Sequence, residues 1–362
     1  MTRVFLLGAR GGGGEEVFVR DLAVSPPPGV EYSLALDHHE SVPGARARAV
    51  HEILFNRLVH PFLWPLPGLR AYDVAPEVDL IHVHNHPTRL GLPGPRRVVY
   101  SVGGSTYAHY LERYLGWSAS RVDARYARAR RVYRPLGIRS ELATPEWVDA
   151  VVVFSEYAAG YMSRFGMPRD KVRVIPPGFE IPAPPPRPPT SEPFTFLLVG
   201  REPHRKGADL AVEAVRELRA RGRAARLWLV GDPAYPAWTG DGVEGHGPIP
   251  RARLLHDFYG RADAVLVPSR AEGYGFAAVE AMGMGVPVVA ARRDALPEIL
   301  GEDGILVEPE VTALGRAMEG LCADPEGARQ RGAAARARFE ACFTRAHARK
   351  SLGALYSELL DS

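Results

Sequence analysis

The chain has 362 residues, 46% hydrophobic and 24% charged, with a formal net charge of +3. That length suits about two domains of 150 to 200 residues, each with its own core. The charge is too small to argue for nucleic acid, and the only cysteines, Cys322 and Cys342, make no disulfide framework. No uncharged apolar run approaches the roughly 18 residues that span a bilayer, and the opening apolar stretch is short for a signal peptide, so a cytoplasmic location is expected.

The first element, "RVFLLGA", reads as a strand, followed by a run of glycines and a helix from about Glu15. Gly8, Gly11 and Gly14 fall at three-residue spacing, and a glycine-lined strand-to-helix turn can hold a dinucleotide pyrophosphate. Asp37, closing the next strand "EYSLALD", offers an acid for a ribose. An NAD-dependent nucleotide-sugar epimerase or dehydratase is therefore the first alternative. Against it, no strict G-x-G-x-x-G can be written, no tyrosine is followed four residues later by a lysine, and the second half is left without a role.

A helical stretch around residues 45 to 60 comes next, then strands "DLIHVH" and "RVVYSV", a long basic helix near 119 to 134, and the strand "DAVVVFS". In "HVHNHP", His82, His84 and His86 alternate, which leaves open a metal pair, a cleft or acceptor contact, or simple packing. The stretch "IPPGFEIPAPPPRPPTSEPF" (175 to 194) carries nine prolines and reads as an interdomain linker. Beyond it the alternation restarts with strands "FTFLLVG", "RLWLVGD", "AVLVPS", "VPVVAA" and "GILVE", separated by helical segments. Continuous apolar runs such as "AVVVF" suit strands covered on both faces, so both halves are expected to be α/β domains with doubly wound parallel sheets and a cleft between them. Ligands of such sheets sit beyond the carboxyl ends of the strands.

In "VPSRAEGYGFAAVEAMGMGVPVVA" (267 to 290), Glu272 and Glu280 stand eight apart around a glycine-bearing turn. With "VGREPHRKGADLAVEAV", "GGEEVFVRDLA", "DAVVVFSEYAAGYMSRFG", "VRVIPPGFE" and "DALPEILGEDGILVEP" in the same order, the chain resembles the retaining glycosyltransferases of family 4, which have the GT-B fold. The resemblance spans most of the chain. It implies residues 1–180 as an acceptor-binding Rossmann-like domain, 192–340 as the nucleotide-sugar domain, and 345–361 as a helix crossing back to the first. It also implies transfer of a hexose from a UDP- or GDP-sugar to an acceptor hydroxyl in glycolipid, polysaccharide or envelope glycan synthesis, with no cofactor.

Physical chemistry supports the site. Gly275, Phe276 and Ala277 should open a helix, where backbone N–H groups and the helix dipole attract a diphosphate. Glu280, one turn on, could accept hydrogen bonds from ribose hydroxyls, and Glu272 would face the donor sugar. The resemblance assigns Arg201 and Lys206, with Arg205 assisting, to the leaving diphosphate, whose charge grows as it departs. No D-x-D motif occurs, so metal-independent chemistry is expected. Gly13 and Gly14 read as a loop approaching the sugar diphosphate from the first domain.

The first domain departs from the family pattern most at Gly103, which stands where relatives carry a histidine near the reacting carbon, leaving His84 or His109 as substitutes and Ser155 as a strand-end candidate; Pro177 also replaces the asparagine that relatives carry before the hinge glycine. The departure at Gly103 keeps a catalytically silent sugar-binding relative as a second alternative. Residues 113–139 hold eight arginines against one acid, with Arg121, Arg125 and Arg128 on one helical stripe. Such a helix could rest on anionic lipid at the inner face of the membrane, giving access to a lipid-linked acceptor, with "LVHPFLWPLPGL" (58 to 69) as an apolar lip.

Overall fold

The computed structural model describes residues 1–8, 14–36, 40–59, 69–85, 88–92, 94–103, 107–139, 148–182 and 193–362. They divide into two compact units, Met1–Gly178 with Arg345–Ser362, and Phe179–Thr344.

The strands of the first unit are β1 (Thr2–Leu7), β2 (Val30–Ala35), β3 (Ala45–Ala47), β4 (Arg70–Val74), β5 (Leu80–His84), β6 (Thr88–Gly91), β7 (Arg97–Val102), β8 (Ile138–Arg139), β9 (Ala150–Val153) and β10 (Val172–Val174). Six of them form a parallel sheet in the order β10-β9-β7-β5-β1-β2. β5 and β9 are buried along their whole length; β9 is accordingly a continuous apolar run, while β5 buries His82 and His84 among its apolar residues. The chain winds from β1 to β2 on one side and to β5, β7 and β9 on the other, so the switch point lies between β1 and β5. There Leu7 registers with Val83, and on the next strand pair His84 registers with Ser101.

A four-stranded sheet, β3-β4-β6-β8, was not legible in the sequence. It corrects the expected helix at 45 to 60: residues Ala45–Ala47 pair antiparallel with β4, and the helix runs only from Ala49 to Leu58. A three-residue strand is too short to show a period of two, so pairing with β4 decides its conformation.

The basic helix Ala119–Tyr133 is capped by Ser118, whose Oγ accepts the Arg121 N–H. It buries Val122, Tyr126, Ala129 and Tyr133 against Phe55, Leu111 and Phe165. Arg121 and Arg128 are exposed on the outer face, and the Arg121 guanidinium lies 3.7 Å from the Trp117 ring centroid.

The second unit repeats the parallel plan with β11 (Phe194–Val199), β12 (Ala225–Val230), β13 (Val243–His246), β14 (Ala264–Val267), β15 (Val288–Ala291) and β16 (Ile305–Val307). The order is β13-β12-β11-β14-β15-β16, with the reversal between β11 and β14. Ala211, Val215 and Leu218 of helix Ala208–Ala220 pack with Leu314, Met318 and Leu321 of helix Val311–Ala323 in its core.

The last helix, Arg345–Asp361, packs into the first unit through a buried polar chain. Tyr356 Oη lies 3.0 Å from Tyr32 Oη and 2.6 Å from His82 Nδ1, while His82 Nε2 lies 2.6 Å from Ser101 Oγ. Arg173 and Glu358 add an ion pair at 2.6 Å. His82 is thus a fully partnered core histidine. Among the described residues no helix is long and apolar enough to cross a membrane.

Candidate active site

The loops after β11 and β14, neighbours across the switch point of the second sheet, are bound to each other by charge. β11 ends at Val199; Gly200 and the exposed Arg201 follow, and Glu202 takes a left-handed φ of 61° before the short helix Pro203–Lys206. Gly207, at φ 70°, can only be glycine, because a Cβ there would meet the carbonyl oxygen of Pro268 at the end of β14. This close approach carries Lys206 to Glu272: Nζ and Oε2 are 2.5 Å apart, with both side chains largely buried. Ser269 Oγ donates to the same oxygen at 3.1 Å, and the Glu272 backbone N–H donates to Asp294 Oδ2 at 2.9 Å. Arg205 donates to Glu202 Oε2 at 2.6 Å and to the Ala271 carbonyl at 3.0 Å. Arg270 grips Asp209 in bidentate fashion at 2.7 and 2.6 Å.

Burial alone would raise the Glu272 carboxyl, but Lys206 and Arg205 outweigh it and hold the group below the usual carboxylate range. Glu272 is therefore a buried, ionised carboxylate whose principal partner is a lysine from the neighbouring loop.

The second cluster begins three residues later. Gly275, at φ 104°, starts the helix Phe276–Gly283, which no side chain caps. A Cβ on Gly275 would approach Leu296 Cδ2 to 2.9 Å and would lie 3.9 Å from Glu272 Cγ, so the two clusters adjoin. Glu280, one turn into the helix, is buried; it pairs with Arg251 and accepts from Tyr259 Oη at 3.0 Å. Arg251 also faces the Phe179 ring at 5.8 Å, and its Nη2 is buried with no hydrogen-bond partner among the described residues. Burial, reinforced by Glu280, pushes the Tyr259 phenol well up, so it stays a donor.

Arg205, Lys206, Glu272, Gly275, Phe276, Ala277 and Glu280 thus share one edge of one sheet, with Arg201 two residues beyond β11. The sequence reading missed Ser269, Asp294, Arg251 and Tyr259. Of these only Arg251, a cation just after "GPIP" at the end of β13, carried a signal by its place in the chain.

The first unit is different. His84 ends β5 with its side chain completely buried and neither ring nitrogen hydrogen-bonded among the described residues. It stacks on His82 at 4.4 Å and meets Phe18 edge-on at 5.9 Å. Burial pushes its imidazole down to about 3, and burial together with His84 pushes His82 well down. Both nitrogens of His82 are occupied, and among the described residues no three His, Cys, Asp or Glu side chains are placed for a metal ion. Gly103 N–H donates to Asn85 Oδ1 at 3.1 Å. His109 is buried edge-on to Tyr157 and Tyr161 at 5.6 and 5.9 Å. Ser155 Oγ accepts the Ala158 N–H and so caps the helix Glu156–Arg164. Gly14 opens the helix Gly14–Val24; Gly13 and His86 lie outside the described residues.

Two doubly wound parallel units in one chain, with cations and carboxylates at the carboxyl edge of the second, define the GT-B class. The "Glycosyltransferase Family 4" model matches residues 12–181 and the "Glycosyl transferases group 1" model residues 193–324. The chain belongs to this family, the group 1 glycosyl transferases of family 4. It is 31% identical over 172 residues to a glycogen synthase of Mycobacterium tuberculosis, a match that takes in 43% of this chain and 41% of that one. The chain thus spans about two fifths of that relative. A D-inositol 3-phosphate glycosyltransferase of Thermobifida fusca is 25% identical over 328 residues, 81% of this chain and 72% of the relative. The crystal structure of HepE from Anabaena, in complex with UDP and glucose, shares the fold at 17% identity and a TM-score of 0.66, covering 99% of this chain and 100% of that one.

Proposed function

We propose that the chain is a retaining, metal-independent glycosyltransferase that moves a hexose from a UDP- or GDP-sugar to an acceptor hydroxyl. The observation that carries this reading is the buried Lys206–Glu272 pair beside Arg205 at the carboxyl edge of the second sheet. Such a pair suits a ligand that brings both an anion and hydroxyls. An incoming diphosphate competes with Glu272 for Lys206, and Glu272, released from the lysine, accepts hydrogen bonds from the donor sugar. Arg201 and Arg205 add charge around the phosphates, and the uncapped start of helix Phe276–Gly283 supplies backbone N–H groups. Glu280, oriented by Tyr259 and Arg251, takes the ribose hydroxyls.

As the bond from the anomeric carbon to the phosphate oxygen breaks, the cations hold the departing charge more tightly than they held the substrate, which is what lowers a barrier. The acceptor attacks on the face the diphosphate leaves, and a phosphate oxygen takes its proton. The first domain, residues 1–180, binds the acceptor, 192–340 binds the donor, and Gly14, which opens the helix Gly14–Val24, adds to donor binding. The arginine face of helix Ala119–Tyr133 rests on anionic lipid at the inner face of the membrane, which suits a lipid-linked acceptor.

Thermal shift of the full chain against a nucleotide panel tests the donor site, since a ligand that binds only the folded state stabilises it by mass action. UDP or GDP should raise the Tm, and no shift with either sinks the reading. NMR of the product should show the donor's anomeric configuration retained, with turnover unchanged in EDTA. Inversion, or loss of turnover on chelation, overturns the corresponding part. Gly14→Val should slow transfer and leave the nucleotide shift intact.

A further inference from the structure

We infer that His84 is a substrate-binding residue: its imidazole hydrogen-bonds a hydroxyl of the transferred sugar or of the acceptor at the switch point between β1 and β5. The inference rests on the sugar-transfer reading and deepens it.

His82 and His84 form an internal control. They lie two residues apart on one strand, point to the same face, stack on each other at 4.4 Å and are equally buried. His82 has a partner for each nitrogen, as a packing histidine should. His84 has none among the described residues, and its ring neighbours are His82 and Phe18. A position that needed only a flat ring would be filled at less cost by phenylalanine, because a buried donor and acceptor left unmade are destabilising. The backbone beside it points the same way. Asn85, the next residue, sits in a left-handed conformation at φ 53°, and its side chain bonds Gly103 N–H at the end of β7. Strain of this kind collects where a fold holds a functional geometry.

The chemistry of the partner follows from the ring. A neutral imidazole offers one donor and one acceptor, the complement of a hydroxyl, which also offers one of each. Burial keeps the ring neutral at working pH, so it brings no charge to attract a phosphate or carboxylate. The first sheet therefore contributes a hydroxyl contact, and the phosphates are left to the second.

The test uses the full chain with His84→Phe and His84→Gln, assayed with UDP-glucose and GDP-mannose. His84→Phe should fold with a Tm equal to or above that of the wild type, because an unmade polar group is removed, yet lose about tenfold or more in kcat/KM. His84→Gln, which keeps a donor and an acceptor, should recover part of the loss. A loss seen already in donor hydrolysis without acceptor assigns the hydroxyl to the transferred sugar; a loss seen only in transfer assigns it to the acceptor. Wild-type kcat/KM in His84→Phe overturns the inference, as does a lowered Tm with unchanged activity per folded molecule. Should both variants fail to fold, the ring nitrogen resonances of His84 in 15N-histidine-labelled wild type decide: they should move with donor sugar and a transfer-supporting acceptor but not with UDP or GDP alone, and resonances that stay fixed overturn it. Full transfer by His84→Phe fails this inference alone. A chain that turns over no nucleotide sugar fails the transfer reading, and the inference with it.

Discussion

The two parallel sheets each have six strands and one switch point in strand order, but their carboxyl edges hold opposite kinds of chemistry. The second sheet ends in ions held against each other: Lys206 with Glu272, Arg205 with Glu202, Arg270 with Asp209, Arg251 with Glu280. The first ends in neutral rings, His84 over His82 with Phe18 alongside. Fixed charges suit a ligand that gains charge during reaction, and neutral polar groups suit one that does not. In the transfer proposed above, the bond that breaks leaves its charge on the phosphate, and the hydroxyl that forms the new bond brings none.

The charged edge should suffer most from a change at Lys206. Lys206→Ala would leave Glu272 buried and unpaired, at a cost of about 3–5 kcal/mol, and should lower turnover by about a hundredfold or more. Urea denaturation and steady-state kinetics check both. Lys206→Met with Glu272→Leu should restore most of the stability and none of the activity; recovery of activity would show that the pair serves the fold alone.

Glu280→Ala should likewise cost about a hundredfold in turnover, because it removes the carboxylate that pairs with Arg251 and accepts from Tyr259. Near-normal turnover would remove Glu280 from the donor site.

Acid should separate the two units. Glu272 has a lowered folded pKa, so the stability it contributes is present above its unfolded value and is lost as pH falls below the usual carboxylate range. The two buried histidines are held neutral, so the unfolded chain takes up protons first, and stability should fall from about pH 6.5 downward by about 1.4 kcal/mol per pH unit for each. Hydrogen exchange followed by peptide should show the first unit opening at higher pH than the second, with a shallower slope in His84→Phe. Simultaneous opening would count against neutral histidines.

The smallest effect is expected at Tyr356. Tyr356→Phe removes the partner of His82 Nδ1 and of Tyr32, costing about 1–3 kcal/mol with no change in nucleotide affinity. A loss of nucleotide binding would mean that this polar chain reaches the donor site.

Much of this was legible in the sequence because parallel sheets announce themselves: "AVVVF" and "AVLVP" are continuous apolar runs, and Lys206, Glu272 and Glu280 sit in stretches whose order resembles a family. What escaped notice depends on partners far apart in the chain. The Lys206–Glu272 pair joins residues 66 positions apart, and Tyr356 lies 274 positions from His82. Nothing local distinguishes a partnered histidine from an unpartnered one in "HVH"; only the side chains brought around each ring do so. The short strands β3 and β8 were invisible for a related reason, since two or three residues carry no period and take their conformation from β4 and β6.

Because the helix Arg345–Asp361 belongs to the first unit while Phe179–Thr344 forms the second, the first unit is discontinuous along the chain. On the ribosome the unit begun first is finished last. The second unit is fully synthesised before Tyr356 exists to close the polar chain with Tyr32 and His82. Until then the first sheet carries an unsealed patch of tyrosine, histidine and serine. The order of synthesis therefore favours a second unit, with its charged edge, that is folded first, and a first unit that matures only when the final helix arrives.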